Sequence, residues 1–203
     1  MSSILSRLTI LGLLTGLFLQ ATDFNFQDPK GVNSVGILLD SVHEPIQGYA
    51  SGVSGTLSFD PGKPDALSGK IIVDAKSIKL THEGMTGHMH GSRWMDTGKF
   101  PTISYEVTSV DSAEKLGDNS WKLMTKGTFN CRGVDKTISM PMTVSFLKDK
   151  AGARMSKTNG DLLVVRSDFT INRVDFGINP SAGADKVAHE VELTLAIVGL
   201  HRH

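Results

Sequence analysis

The sequence predicts an all-β protein, a single antiparallel sheet of about eight strands that closes into a barrel. Three observations predict it. Apolar and polar residues alternate in run after run, as in Ile103-Ser104-Tyr105-Glu106-Val107, Ile138 to Phe146 and Val191 to Ile197. Alternate side chains of a strand point to opposite faces, so each run carries one apolar and one polar face. Short turn-forming segments separate the runs, which is the spacing of consecutive hairpins and not of strand-helix-strand units. The 21 glycines and the 6% aromatic content suit a turn-rich β protein.

In chain order the strands are expected at Ser34–Asp40, Val53–Phe59, Lys70–Ala75, Thr102–Val110, Trp121–Phe129, Thr137–Phe146, Asp161–Ile171 and Ala188–Val198. Turns are expected at Asp28-Pro29-Lys30-Gly31, from Asp60 to Asp65, from Leu116 to Asn119, from Lys148 to Gly152 and from Asn179 to Gly183, all rich in Gly, Pro, Asn or Asp. Pro141 interrupts a strand pattern and marks an edge, a bulge or a barrel corner. An antiparallel sheet of this size closes to remove its exposed edges, and its interior either fills with side chains or holds one ligand. No repeat, low-complexity tract or linker divides the chain, so residues 22–203 read as one domain.

The first 21 residues read separately. A short segment with one arginine precedes an uncharged, leucine-rich run from Leu8 to Leu19 and then Gln20-Ala21. This is the layout of a cleavable secretory signal, and the run is shorter than the ~20 residues that span a bilayer. The mature chain is therefore expected in the periplasm or secreted, with no membrane span. Its single cysteine, Cys131, cannot form an internal disulfide, so the core must supply the stability. Cys131 is expected as a small packed side chain at a strand end. The 21 basic and 21 acidic residues give a formal net charge of zero, unlike the basic surface of a nucleic-acid binder.

The apolar phase of each strand supplies the candidate lining. Ile37 and Leu39 lie on the first strand, Leu57 and Phe59 on the second, and Ile71 and Val73 on the third. Tyr105 follows on the fourth, then Met142, Val144 and Phe146, then Phe169, and finally Leu193 and Leu195. An apolar tunnel binds a lipid tail by removing hydrocarbon from water, at about 0.8 kcal/mol per CH₂. The same residues equally suit a dry core.

The alternation stops between Thr81 and Phe100. His82, His88 and His90 with Met85, Met89 and Met95 place three imidazoles and three thioethers in fourteen residues. That set suits copper, and the imidazoles suit zinc. It equally suits a short helical or irregular lid over the barrel mouth, since methionine packs adaptably. Arg173 and Asp175 stand two apart and are expected on one face as a structural ion pair. No Gly-x-Ser-x-Gly elbow, glycine-rich phosphate loop or distinctive pair of carboxylates is present. The sequence points to a carrier and not to an enzyme, and it calls for no cofactor.

Several segments, taken in order, resemble the YceI-like family. They are Phe26-Gln27-Asp28, then Asn33-Ser34-Val35-Gly36 with His43 and Gly48 downstream, then Gly55 to Pro61. Lys99 to Tyr105, Gly127 to Lys136 and Arg173-Val174-Asp175-Phe176-Gly177-Ile178 follow, with the last strand after them. The resemblance covers nearly all of the mature chain. It implies an extended lipocalin-like antiparallel barrel, export to the periplasm, and a long isoprenoid lipid in the lumen. It places His43 near the barrel mouth, either beside a ligand head group or the Arg173 and Asp175 pair, or as a structural histidine. Barrels of this kind can pair, so a homodimer is compatible with it. The segment from Thr81 to Asp96 departs from the family's usual Thr-rich connection.

Overall fold

The computed structural model describes residues 21–43 and 45–203. Of the expected leader, residues 1–20 lie outside the described residues. Eleven strands form one antiparallel sheet among those described. They are β1 (Thr22–Asn25), β2 (Ser34–Leu39), β3 (Ile46–Ala50), β4 (Val53–Phe59), β5 (Ser68–Asp74), β6 (Ile78–Leu80), β7 (Thr102–Gly117), β8 (Ser120–Cys131), β9 (Val134–Leu147), β10 (Gly160–Asn172) and β11 (Glu190–Arg202). Two helices accompany them, α1 (Glu83–His90) and α2 (Ala151–Arg154).

The eleven strands make eight staves. β1, β4, β5, β7, β8, β9, β10 and β11 neighbour one another in that order, and the pairing of Asn25 with Leu200 closes the ring. β2 continues the stave of β1 along β11, β3 runs into β4, and β6 follows β5. Each break has a local cause. Between β1 and β2 the buried side chain of Asn33 donates to the carbonyls of Phe26 (2.9 Å) and Val198 (3.0 Å) and accepts from the Val198 amide (2.8 Å). It replaces ladder bonds that the backbone no longer makes. Between β5 and β6 a 3-10 turn, Ala75–Ser77, is capped by the Asp74 side chain, and Ser77 Oγ accepts from the Gly52 amide at 2.9 Å. Gly55 of β4, paired with Ile71, and Gly69 of β5, paired with Leu57, hold φ of 110° and 120°. A Cβ there would lie 2.1 Å or 2.3 Å from the opposite carbonyl, so only glycine allows the tight bend.

The eight expected strands are all present. β1, β3 and β6, of four, five and three residues, were not expected from the sequence. Such pieces are too short to display a period of two. The expected interruption contains α1, so the lid is helical over part of its length. Of the edge, bulge or corner expected at Pro141, the structure shows a local edge. β9 pairs with β8 along its whole length but with β10 only from Thr143 to Leu147. The wall is therefore split between Val134–Met142 and Ser167–Asn172, and a residue without an amide hydrogen stands where the ladder stops.

The barrel interior has two unlike halves. Toward the start of β1 and the end of β11 it is solid. Phe24, Phe59, Leu123, Val144 and Leu163 are fully buried there, and Phe59 meets Trp121 edge-to-face at 5.3 Å. Toward the ends of β2, β8 and β10 it is hollow.

Candidate functional site

The hollow half holds a cavity of about 120 Å³. Its wall is almost wholly apolar. Ile37 and Leu39 of β2, Ile71 and Val73 of β5, and Tyr105 of β7 face it. Met142 of β9, Phe169 of β10, Leu193 and Leu195 of β11, and Arg173 complete the sequence-expected members. Leu57, Phe59 and Val144, though inward-facing, do not line it, because they fill the solid half, and Phe146 packs there edge-to-face on Phe24 at 6.1 Å. His43 is exposed in the connection between β2 and β3 and does not face the cavity.

Sequence reasoning missed Phe129, Met140, Ile171 and Val191, which also line the cavity. They belong to the same apolar phases, two residues from Cys131, Met142, Phe169 and Leu193 respectively. Trp94, Met89 and Met95 close the cavity from the long connection between β6 and β7. Their signal was the methionine-rich interruption itself.

That connection seals an edge of the sheet. β6 pairs only with β3, which leaves its outer side open. α1 covers it. His90 Nε2 donates to the Ile78 carbonyl at 2.9 Å, and Thr86 Oγ1 accepts from the Leu80 amide at 2.9 Å. An open strand edge is a template for unwanted pairing, and this one is occupied. The segment is tied to its neighbours as well. The Asn179 amide donates to the Arg93 carbonyl (2.7 Å), and Arg132 Nη2 donates to the Ser92 carbonyl (2.7 Å).

The three histidines of this segment do not form a metal cluster with other His, Cys, Asp or Glu side chains. Among the described residues, the trio of such side chains with ligand atoms within 4.8 Å of one another is Asp149, Asp161 and His203, at the solid end of the barrel.

Arg173 departs from its expected pairing. Residues Arg173–Phe176 form a 3-10 turn and not a strand, so positions two apart no longer share a face. Asp175 instead lies 3.9 Å from Lys136, across the split between β9 and β10. Arg173 is fully buried, and all five of its N–H groups donate to backbone carbonyls. Nε reaches Ala188 (2.8 Å). Nη1 reaches Ile178 (3.0 Å) and Asn179 (2.6 Å), and Nη2 reaches Ala182 (2.6 Å) and Val187 (3.0 Å). The guanidinium thus gathers the connection from the 3-10 turn to β11 across the hollow end. Burial pulls its pKa below the usual guanidinium value.

Ser104, Tyr105 and Cys131 are further polar residues of the lining. Thr125 Oγ1 donates to the Met140 carbonyl at 2.8 Å, so the Tyr105 hydroxyl, 2.9 Å away, must donate to Thr125. Burial raises the Tyr105 pKa, and the Asp111 charge adds to this against the Thr125 hydrogen bond. The Cys131 thiol is pushed up to about 12 by burial, against a smaller opposing pull from Arg132, and stays neutral.

A closed eight-stave antiparallel barrel with an internal apolar lumen defines a protein of the lipocalin-like barrel class. Residues 28–199 match the model of the YceI-like domain, and the chain belongs to that family. Its curated relatives include a UPF0312 protein of Shewanella oneidensis, 27% identical, with 77% of this chain and 75% of the relative covered. A UPF0312 protein of another Shewanella species is 24% identical, with 98% of both chains covered. Among solved structures, BcnA of Burkholderia cenocepacia aligns with a TM-score of 0.64 at 20% identity, covering 82% of this chain and 95% of that one. A polyisoprenoid binding domain from Saccharophagus degradans aligns with a TM-score of 0.63 at 13% identity, covering 89% and 99%. These structural likenesses establish the fold. No helix among the described residues is long and apolar enough to cross a membrane.

Proposed function

We propose that this protein is an exported, non-enzymatic carrier that holds a polyisoprenoid or similar long-chain amphiphile in the hollow half of its barrel. The observation that carries the reading is the apolar lumen, lined by residues from strands all around the ring and bordered by an adaptable Met-rich segment. The structural likeness to a polyisoprenoid binding domain supports the same ligand class.

The cavity of about 120 Å³ is smaller than the ~150 Å³ apolar cavity that accommodates benzene. A tail therefore needs added room. The floor is packed with aromatic side chains, so the room comes from the top and the side. Met89, Trp94 and Met95 swing outward with their connection, and the unladdered split between β9 and β10 widens. Each CH₂ that leaves water contributes about 0.8 kcal/mol, which several isoprene units multiply. Ordering the tail and displacing the lid oppose it. No bond is made or broken. The carrier shields the tail from water in the periplasm or outside the cell, after its leader has been removed.

Native mass spectrometry of protein purified from its own cell envelope tests this. A lipid adduct released by organic extraction is expected. Absence of any adduct, with a crystal structure showing the lumen packed solid, overturns the reading. N-terminal sequencing of the same material tests cleavage near Ala21.

A further inference from the structure

Away from the lumen, three titratable side chains converge at the solid end from three separate segments. Asp149 lies in the turn between β9 and α2, Asp161 is the second residue of β10, and His203 follows the last residue of β11. None of them lines the cavity. Asp161 anchors the group. It is only 8% exposed, and its Oδ1 accepts the Asp149 amide at 2.7 Å. Its Oδ2 stands 3.2 Å from His203 Nε2, and Asp149 Oδ1 stands 3.9 Å from His203 Nδ1. One ligand atom from each residue lies within 4.8 Å of the other two.

A carboxylate is rarely buried without a counter-charge, because leaving water is costly for an ion. Among the described residues neither Asp149 nor Asp161 has a Lys or Arg nitrogen within 4.0 Å. Outside the trio no side chain bonds Asp161. Even a protonated imidazole supplies one positive charge against two negative ones. The trio is therefore short of positive charge, and a divalent cation balances it. The spacing suits such an ion. Two ligands each about 2.1 Å from a metal stand roughly 3.0–3.4 Å apart in octahedral or tetrahedral arrangement. Asp161 and His203 already stand at 3.2 Å, and the half-exposed His203 and exposed Asp149 are free to turn and close the rest. An imidazole among carboxylates favours a first-row transition cation over Mg²⁺ or Ca²⁺, which prefer oxygen alone. We propose that Asp149, Asp161 and His203 form a divalent metal site of the zinc class. It clips the turn after β9 and the start of β10 to the end of β11, and three protein ligands leave a fourth position for water. The site is independent of the carrier reading, and it uses none of the histidines between Thr81 and Phe100.

The test titrates chelator-treated, full-length mature protein with Zn²⁺ by calorimetry at neutral pH, with Mg²⁺ and Ca²⁺ in parallel. One Zn²⁺ per chain is expected, with a Kd of about 1–10 μM and at least about a hundredfold weaker binding of Mg²⁺ and Ca²⁺. Zn²⁺ held at about 100 times Kd should raise the unfolding temperature by about 5–10 °C. His203→Ala and Asp149→Ala, both at exposed positions, should each weaken Zn²⁺ binding at least about tenfold and remove most of the thermal shift. His82→Ala/His88→Ala, a double variant between β6 and β7, should leave both readings unchanged. Zn²⁺ binding that survives His203→Ala and Asp149→Ala overturns the proposal, and so does binding lost in the His82→Ala/His88→Ala variant. Absence of Zn²⁺ binding up to about 100 μM overturns it as well and leaves the trio a hydrogen-bonded ion pair. Equal affinity for Mg²⁺ or Ca²⁺ overturns the assignment to a metal of the zinc class. None of these outcomes touches the carrier reading, which is tested by its own lipid adduct.

Discussion

The Nε2 atom of His90 sits 2.9 Å from the carbonyl oxygen of Ile78, on the one side of β6 that no strand covers. A histidine that the sequence offers as a metal ligand is thus used to finish a sheet. Its partner Thr86 fills the amide position two residues on, at Leu80. Replacing His90 with alanine should cost about 1 kcal/mol, the usual net value of one hydrogen bond, because the exposed edge can turn to water. The larger effect should be on opening. Hydrogen exchange should accelerate at Ile78–Leu80 and across α1 while β8 to β10 stay protected, and bound lipid should dissociate several-fold faster. Unchanged exchange at β6 would remove α1 from the role of edge cover.

Arg173 presents the opposite case, a charge that cannot turn to water. Five carbonyls are satisfied by one guanidinium, and a shorter side chain would leave most of them buried and unpaired. Arg173→Met should destabilise the protein on the order of 4 kcal/mol, at the severe end for a single substitution. Arg173→Lys, with three donors in place of five, should recover only part of this. Urea denaturation read by tryptophan fluorescence checks both. A loss under about 1 kcal/mol for Arg173→Met would show that the connection from Asn179 to Ala188 does not depend on it.

The solid floor of the barrel sets how deep a tail can reach. Leu123 of β8, fully buried and paired with the cavity-lining Met142 of β9, stands where the packed half meets the hollow half. Leu123→Ala should cost roughly 2–5 kcal/mol, the usual range for truncating a buried leucine, and should extend the lumen downward. Relative affinity should then shift toward longer tails in a series of isoprenoid alcohols. An unaltered chain-length profile would place the limit elsewhere, at the lid or the β9–β10 split.

Cys131 is buried at the end of β8, on the cavity wall, with its thiol pushed up to about 12 by burial. The thiolate is the reacting species, so native protein should react with a disulfide reagent orders of magnitude more slowly than unfolded protein. Bound lipid should slow the reaction further by covering the sulfur. Fast labelling of the native, lipid-loaded protein would show that the lumen is open to water.

Much of this fold was legible in the sequence because long strands with one buried face repeat a period of two many times over. β8 to β11 carry twelve or more residues each, and their inner faces were readable. The broken staves were not. Where the staves break is decided by Asn33 between β1 and β2 and by Gly52 and Ser77 between β3 and β4 and between β5 and β6, single residues acting across the sheet. The lining was legible in part for a related reason. Periodicity shows which side chains point inward but not how far along the axis they stand, so Leu57, Phe59, Val144 and Phe146 read the same as Ile71 and Leu193. The Arg173 and Asp175 pairing failed because a 3-10 turn replaced the strand on which a period of two depends.

At the solid end, Asp28 and Arg154 join the loop between β1 and β2 to α2, with Arg154 Nη2 at 2.7 Å from Asp28 Oδ2. The Asp28 side chain is only 3% exposed. Burial by itself would raise its pKa, but amide donation from Val32 and Lys30 and the hydrogen bond and charge of Arg154 outweigh it and hold the carboxyl below the ordinary aspartate value. A carboxyl with a folded pKa below its unfolded value binds its proton more readily when the chain is unfolded. Its contribution is therefore complete above the unfolded pKa, and it fades as pH falls from there through the folded value. Unfolding free energy should thus drop in the acid range below about pH 4. Asp28→Asn should flatten that part of the profile and cost about 1.5–3 kcal/mol at neutral pH, the range for hydrogen bonds to a charged group. Urea denaturation of both proteins between neutral pH and about pH 3 measures the difference. If the two profiles run parallel through the acid range, Asp28 does not carry the acid sensitivity of this end of the barrel.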